Sequence, residues 1–108
     1  MNSPIVLLNQ NSQVGTNTVV EIDNRFHTFA AYITTSSDWV NGTFTATMEI
    51  SDNANFTGNW INFGGPIYNL AANSIYSLSF GGVFIPIIRA RIITGQTQGS
   101  VNLNLFFD

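Results

Sequence analysis

Residues 43–50, Thr-Phe-Thr-Ala-Thr-Met-Glu-Ile, alternate strictly between polar and apolar side chains, a pattern that a helix cannot sort onto separate faces. In an extended chain Phe44, Ala46, Met48 and Ile50 fall on one side, and Thr43, Thr45, Thr47 and Glu49 on the other. That is a strand with one buried and one wet face. The end of the chain repeats it: Val101, Leu103, Leu105 and Phe107 alternate against Ser100, Asn102, Asn104 and Phe106.

Weaker segments of the same kind lie between. TVVEI and RFHTFAAYI flank Asp23-Asn24, a pair that tolerates positive φ and suits a tight hairpin. SIYSLSF places Tyr76, Leu78 and Phe80 on one face. In VFIPIIRARII, Ile88, Ala90 and Ile92 point inward and Arg89 and Arg91 outward, with Pro86 at an edge or bulge because it has no N–H for a ladder. The only arguable helical turn, around NLAANS, is too short to matter. Turn signals at Asn41-Gly42, Gly64-Gly65-Pro66, Gly81-Gly82 and Gly95 to Gly99 recur at the spacing of an antiparallel sandwich. The expected fold is all-β: a single antiparallel β-sandwich, jelly-roll-like, of about seven or eight strands.

Residues 1–17 stand apart from residues 18–108, the expected sandwich domain. Their apolar run, Ile5, Val6, Leu7 and Leu8, sits in an Asn-, Gln- and Ser-rich context. Two readings are open: an edge strand of the domain, or an arm whose four apolar residues contact a partner. If it is an arm, as expected here, deleting residues 1–17 should leave the sandwich folded and weaken oligomerisation or particle binding, whereas outright unfolding would make the segment an intrinsic strand.

Charge is scarce. Only 8% of residues are Asp, Glu, Lys or Arg, against about 25% in ordinary domains, and the three cations are Arg25, Arg89 and Arg91. With a net charge of −3, no basic patch can neutralise several phosphates, so nucleic acid is not expected as a partner. Either much of the surface is covered by another protein, or low charge merely reflects a Thr- and Asn-rich β-protein. No run approaches the roughly 20 apolar residues of a membrane-crossing helix, and the start lacks a signal-peptide pattern, so neither membrane nor secretion is expected. The sequons at Asn41 and Asn55 then read as turn residues.

The catalytic inventory is thin: one His, no Cys and no Lys. His27 lies in a strand-like segment among aromatics, where a structural histidine is the common outcome. Asp38, Glu49 and Asp52 are the carboxylates a glycosidase would need, but nothing in their spacing pairs them. The Asx-rich stretch SDNANFTGNW has Ala54 and Phe56 where a calcium loop would need oxygen donors. No enzyme activity, metal or cofactor is expected.

The succession GTFTATMEISDNANFTGNW, then Gly-rich and aromatic loops, then IIRARIITGQTQGSVNLNLFF resembles small β-sandwich structural proteins of tailed bacteriophage virions, of the decoration or cement kind. Ser51, Asp52 and Trp60 match a strand that ends in Ser-Asp and leads through an Asx-rich loop to a Trp. Arg89, Arg91, Gly99 and the 101–107 strand match an Arg-containing strand, a Gly-punctuated turn and a final alternating strand. The likeness covers residues 18–107, with a loop between Asp52 and Trp60 longer than the Asp-Gly-x-x-Trp form. It implies architectural roles, the Trp ring plugging the sandwich and the guanidinium tying a loop.

The resemblance implies a non-enzymatic virion protein on the capsid surface, made in the host cytoplasm. Its partners would be the major capsid protein or another virion protein, and further copies of itself, with a trimer favoured at local three-fold points. The alternative is a carbohydrate-binding sandwich module, for example on a tail or fibre, using Trp39, Trp60 and Tyr68 as sugar contacts.

Overall fold

The computed structural model describes residues 5–16, 19–22, 26–40, 44–53, 55–96 and 98–107. Nine strands and no helix occur among them: β1 (Ile5–Asn11), β2 (Gly15–Thr16), β3 (Val20–Glu21), β4 (Phe26–Thr35), β5 (Thr45–Ser51), β6 (Ile61–Tyr68), β7 (Ile75–Phe84), β8 (Ile87–Thr94) and β9 (Val101–Phe107). They form two antiparallel sheets. The first has the order β1-β9-β4-β7; the second has the order β2-β8-β5-β6, with β3 also on β8. The two-residue strands β2 and β3 occupy one edge position, opposite Arg91 and Ile92 and opposite Ile87 and Ile88 respectively. Counted as one broken strand, they complete the eight positions of a jelly roll, in which the chain keeps passing between the two sheets.

The alternating segments bury the side the pattern assigns. Val101, Leu103 and Leu105, Ile88, Ala90 and Ile92, and Phe44, Ala46 and Met48 are all core residues. Phe63 of β6 packs on Phe80 of β7, ring centroids 4.3 Å apart, and joins the edge strands of the two sheets along one side of the sandwich.

The described part of the N-terminal segment, residues 5–16, is built into the sandwich. β1 is the edge strand of the first sheet, pairing with β9, and β2 belongs to the second. A register shift between Val6 and Leu8 turns two consecutive leucines inward, so Leu7 and Leu8 are both core residues while Val6 is exposed. That shift breaks the alternation and is why the run reads as a knot in sequence.

Three turn expectations are corrected. The Asp23-Asn24 hairpin does not form: β3 pairs with β8 and β4 with β7 and β9, so this connection, whose residues 23–25 lie outside those described, joins the two sheets. The Ile22 N–H donates to the Pro86 carbonyl at 2.8 Å, which ties that crossing to the β7–β8 crossing where Pro86 sits. Gly81-Gly82 lies within β7. Between the pairs His27–Val83 and Phe29–Phe80, β7 carries one extra residue, and Gly82 adopts φ 57°, so the glycines serve a bulge. Gly64-Gly65 likewise lies within β6, where two extra residues separate Phe63 from Pro66, and Pro66 is accommodated because β6 is an edge strand.

The loops at one end are laced together. The Ser36 N–H donates to the Ser100 carbonyl at 3.0 Å, the Ser100 N–H to Ser36 Oγ at 3.0 Å, and the Asn73 N–H to the Ser36 carbonyl at 3.0 Å. Thr35 Oγ1 donates to the Ala71 carbonyl at 2.6 Å. Trp39 closes this end of the core, its Nε1 donating to the Leu70 carbonyl at 2.9 Å and its ring meeting Phe44 edge-on at 5.1 Å. Gly99, at φ 87°, passes so close that a Cβ there would lie 2.5 Å from Trp39 Cα.

Candidate functional site

The outer face of β5 is closed to water at Thr47 and Glu49. Glu49 is 3% exposed and Thr47 is equally buried, contrary to the alternation. Register explains it, because Glu49 lies opposite Arg89 on one side and Asn62 on the other. Arg89 Nε donates to Glu49 Oε1 at 3.0 Å, and Arg91 reaches Oε2 at 3.7 Å. The Trp60 ring lies over the Arg89 guanidinium, 3.9 Å from its carbon to the ring centroid, and Phe56 tilts against Trp60 at 6.4 Å. The Arg stems and the indole roof the carboxylate and exclude water from it.

This stack anchors the 52–60 loop, whose own bonds are those of a turn. Asn53 Oδ1 accepts from the Asn55 N–H at 2.9 Å, and the Asn53 carbonyl from the Phe56 N–H at 3.0 Å. Asn55 is an exposed residue of this turn, while Asn41 lies outside the described residues. The guanidinium therefore does tie a loop. The plug of the sandwich, however, is Trp39, and Trp60 lies on the outer face of the second sheet.

Unequal burial separates the two arginines. Removing Arg89 leaves a carboxylate with 5% side-chain exposure short of its closest partner and strips the floor from Trp60. Breaking one side of a buried pair costs about 3 to 5 kcal/mol. Arg91 is 51% exposed and its contact is longer, so its pairing contributes about 1 kcal/mol or less. Urea unfolding should show Arg89→Ala destabilised by about 3 kcal/mol and Arg91→Ala by under about 1. Equal losses would show that the pairing geometry does not control the carboxylate.

The structure does not bring the other proposed side chains together. Asp38 lies in the loop entering β5, bound by Ser36 Oγ at 2.6 Å, and Asp52 lies just past the far end of that strand. Seven strand residues, roughly 23 Å, separate these loops, too far for a carboxylate pair. The side chain of His27 lies outside the described residues. No group of three or more metal-ligating side chains occurs among the described residues. Of the sugar candidates, Trp39 is 4% exposed and in the core, Trp60 gives one ring face to Arg89, and Tyr68 is exposed at the opposite end of β6 from Trp60. A cleft of about 380 Å³ beside the 52–60 loop is lined chiefly by Ile50, Phe56, Ile61 and Pro86, with Ser51, Asp52 and Asn59 at its polar side.

Of the four proposed partner contacts, Leu7 and Leu8 are core, Ile5 packs against the core, and Val6 alone is exposed. Val6 belongs to a larger surface. The strands β1, β4, β7 and β9 contain no Asp, Glu, Lys or Arg, and among the described residues the charged side chains, Glu21, Asp38, Glu49, Asp52, Arg89 and Arg91, lie on the second sheet or in connections. Inward Ala31, Ile33 and Leu105 place Tyr32, Ala30 and Phe106 on the outer side of the first sheet. Tyr32 is 40% exposed and meets Phe106 edge-on at 5.5 Å, and Ile75, opposite Thr34, is 73% exposed. Thr, Ser and Asn fill the remainder. A sheet face without charged strand residues and with aromatics on its two central strands shares two features with interface cores, depleted charge and enriched Tyr and Phe, though not their depletion of Ser and Ala.

Compared with protein-family models, curated proteins and solved structures, the chain matches none.

Proposed function

We propose that this chain is a non-enzymatic structural protein of a tailed-bacteriophage virion, a decoration or cement protein that stabilises the capsid through contacts with its own copies and with the shell. The observation that carries this reading is the charge-free outer face of the first sheet, which is better suited to lying against protein than to facing water. The loops laced around Trp39 support it, since a clamp gains nothing from mobile ends. Fold supports it more weakly, as jelly rolls are used in viral capsids and equally in lectins.

Mass spectrometry of purified virions from the phage whose genome carries this gene should find the chain at a fixed ratio to the major capsid protein. Recombinant chain should also bind, saturably, to shells lacking it. Absence from the particles together with no sedimentation on shells would overturn the reading.

A further inference from the structure

We infer that the outer face of the β1-β9-β4-β7 sheet is the surface through which two copies of this chain meet, packed sheet against sheet around Tyr32 and Phe106. This deepens the reading just given and rests on it for its biological setting, but not for its physics.

Charge is the first argument. In a two-fold contact residue i meets residue j of the neighbour and j meets i, and only groups at the axis meet their own copies, so a face whose strands carry no charge needs no charge pairing in any register. Here the strands supply none, and the contact desolvates no ion. The residues that make up the net charge of −3 all lie outside these four strands.

Area is the second. Strands of seven to ten residues, four abreast, cover roughly 28 by 19 Å, on the order of 530 Å² per copy before side-chain relief is counted. Two such faces approach the total of about 1,200 Å² at which specific interfaces begin. The face is thus large enough for self-association, and too small for an obligate dimer whose monomer cannot fold.

Chemistry of the centre is the third. β9 and β4 are the inner strands of the sheet, so Tyr32, midway along β4, lies near the centre of the face, where residues that dominate binding cluster, and Phe106, near the end of β9, packs against it. A recess of about 270 Å³ beside Phe106, bordered by Thr28, Ala30, Ser79 and Gly81, gives the facing copy a hollow to fill.

Light scattering on the purified full-length chain, from about 1 to 100 μM, should give a mass that rises toward twice the 11.8 kDa of one chain. Tyr32→Glu and, independently, Ile75→Glu should each return it to the mass of one chain, with the circular dichroism spectrum unchanged. Thr94→Glu, an exposed site on the other sheet, should leave the mass as in the wild type. A wild-type monomer throughout this range, or an oligomer that survives both substitutions on the face, would overturn the inference. The two readings fail separately. An oligomer broken by Tyr32→Glu but unable to bind shells removes the virion role and keeps this interface, whereas a monomer that binds shells keeps the role and removes it.

Discussion

Met48→Asp should abolish folding, whereas Thr45→Asp, three residues earlier on the same strand, should leave a soluble protein with the wild-type circular dichroism spectrum. Met48 is 0% exposed and lies between Ala90 and Phe63 in adjacent strands. Among the described residues no cation faces that position, because Arg89 and Arg91 stand on the other face of β8. A carboxylate there must either lose its water unpaired or take up a proton, and costs of several kcal/mol follow in either case. Against a whole-domain stability of about 5 to 15 kcal/mol, that loss, added to the loss of the thioether's packing, is decisive. Thr45 is half-buried at the start of the strand, facing outward between Tyr68 and Thr94, where a carboxylate keeps water and should cost about 0.5 kcal/mol. In a soluble-expression assay, tolerance of Met48→Asp with loss of folding in Thr45→Asp would mean that the inward and outward sets of β5 are reversed, and equal tolerance of both that Met48 is not closed off from water.

The contrast shows what could be read without coordinates. Period-two alternation states which side of a strand faces the core, and for Met48, Ile88, Ala90, Val101, Leu103 and Leu105 the structure agrees. Alternation is silent about what lies over the other side. Glu49 is outward, as its position demands, and still buried, because Arg89 and Trp60 come from segments 40 and 11 residues away and the pattern of β5 holds no trace of them. Glycine pairs were ambiguous for a similar reason. Gly64-Gly65 and Gly81-Gly82 supply the backbone freedom that turns and bulges both use, and only the partner strand decides between them.

The candidate interface was half legible. Once the strands are located, the lack of charge in β1, β4, β7 and β9 can be read from the letters alone. That these four strands, scattered from residue 5 to residue 107, form one sheet is a matter of long-range topology, which no local pattern encodes. Tyr32 and Phe106 were therefore invisible as a pair, while Trp39 drew attention as a sugar contact on residue type and proved to be core.

Removing residues 1–11 should unfold the protein, the outcome that separates an edge strand from an arm. The deletion takes away β1, and with it Leu7 and Leu8, which are 2% and 1% exposed. Burial of each large apolar side chain is worth about 1.5 to 3 kcal/mol, and the hole left by two adjacent leucines adds a cavity cost. Losses continue on β9. Leu103 and Leu105, both fully buried, pair with Leu8 and Ile5, so the deletion opens their flank to water and leaves one side of the β9 backbone without its ladder. Exposed strand edges of that kind invite pairing with other chains. The sum, roughly 6 to 10 kcal/mol, rivals the whole stability expected of a 108-residue domain. The truncated chain should lose its cooperative thermal transition and collect in the insoluble fraction, while the full chain melts in one step. A soluble truncated protein that still melts cooperatively, shifted by only a few degrees, would mean that β1 is an attached arm and that the sandwich closes without it.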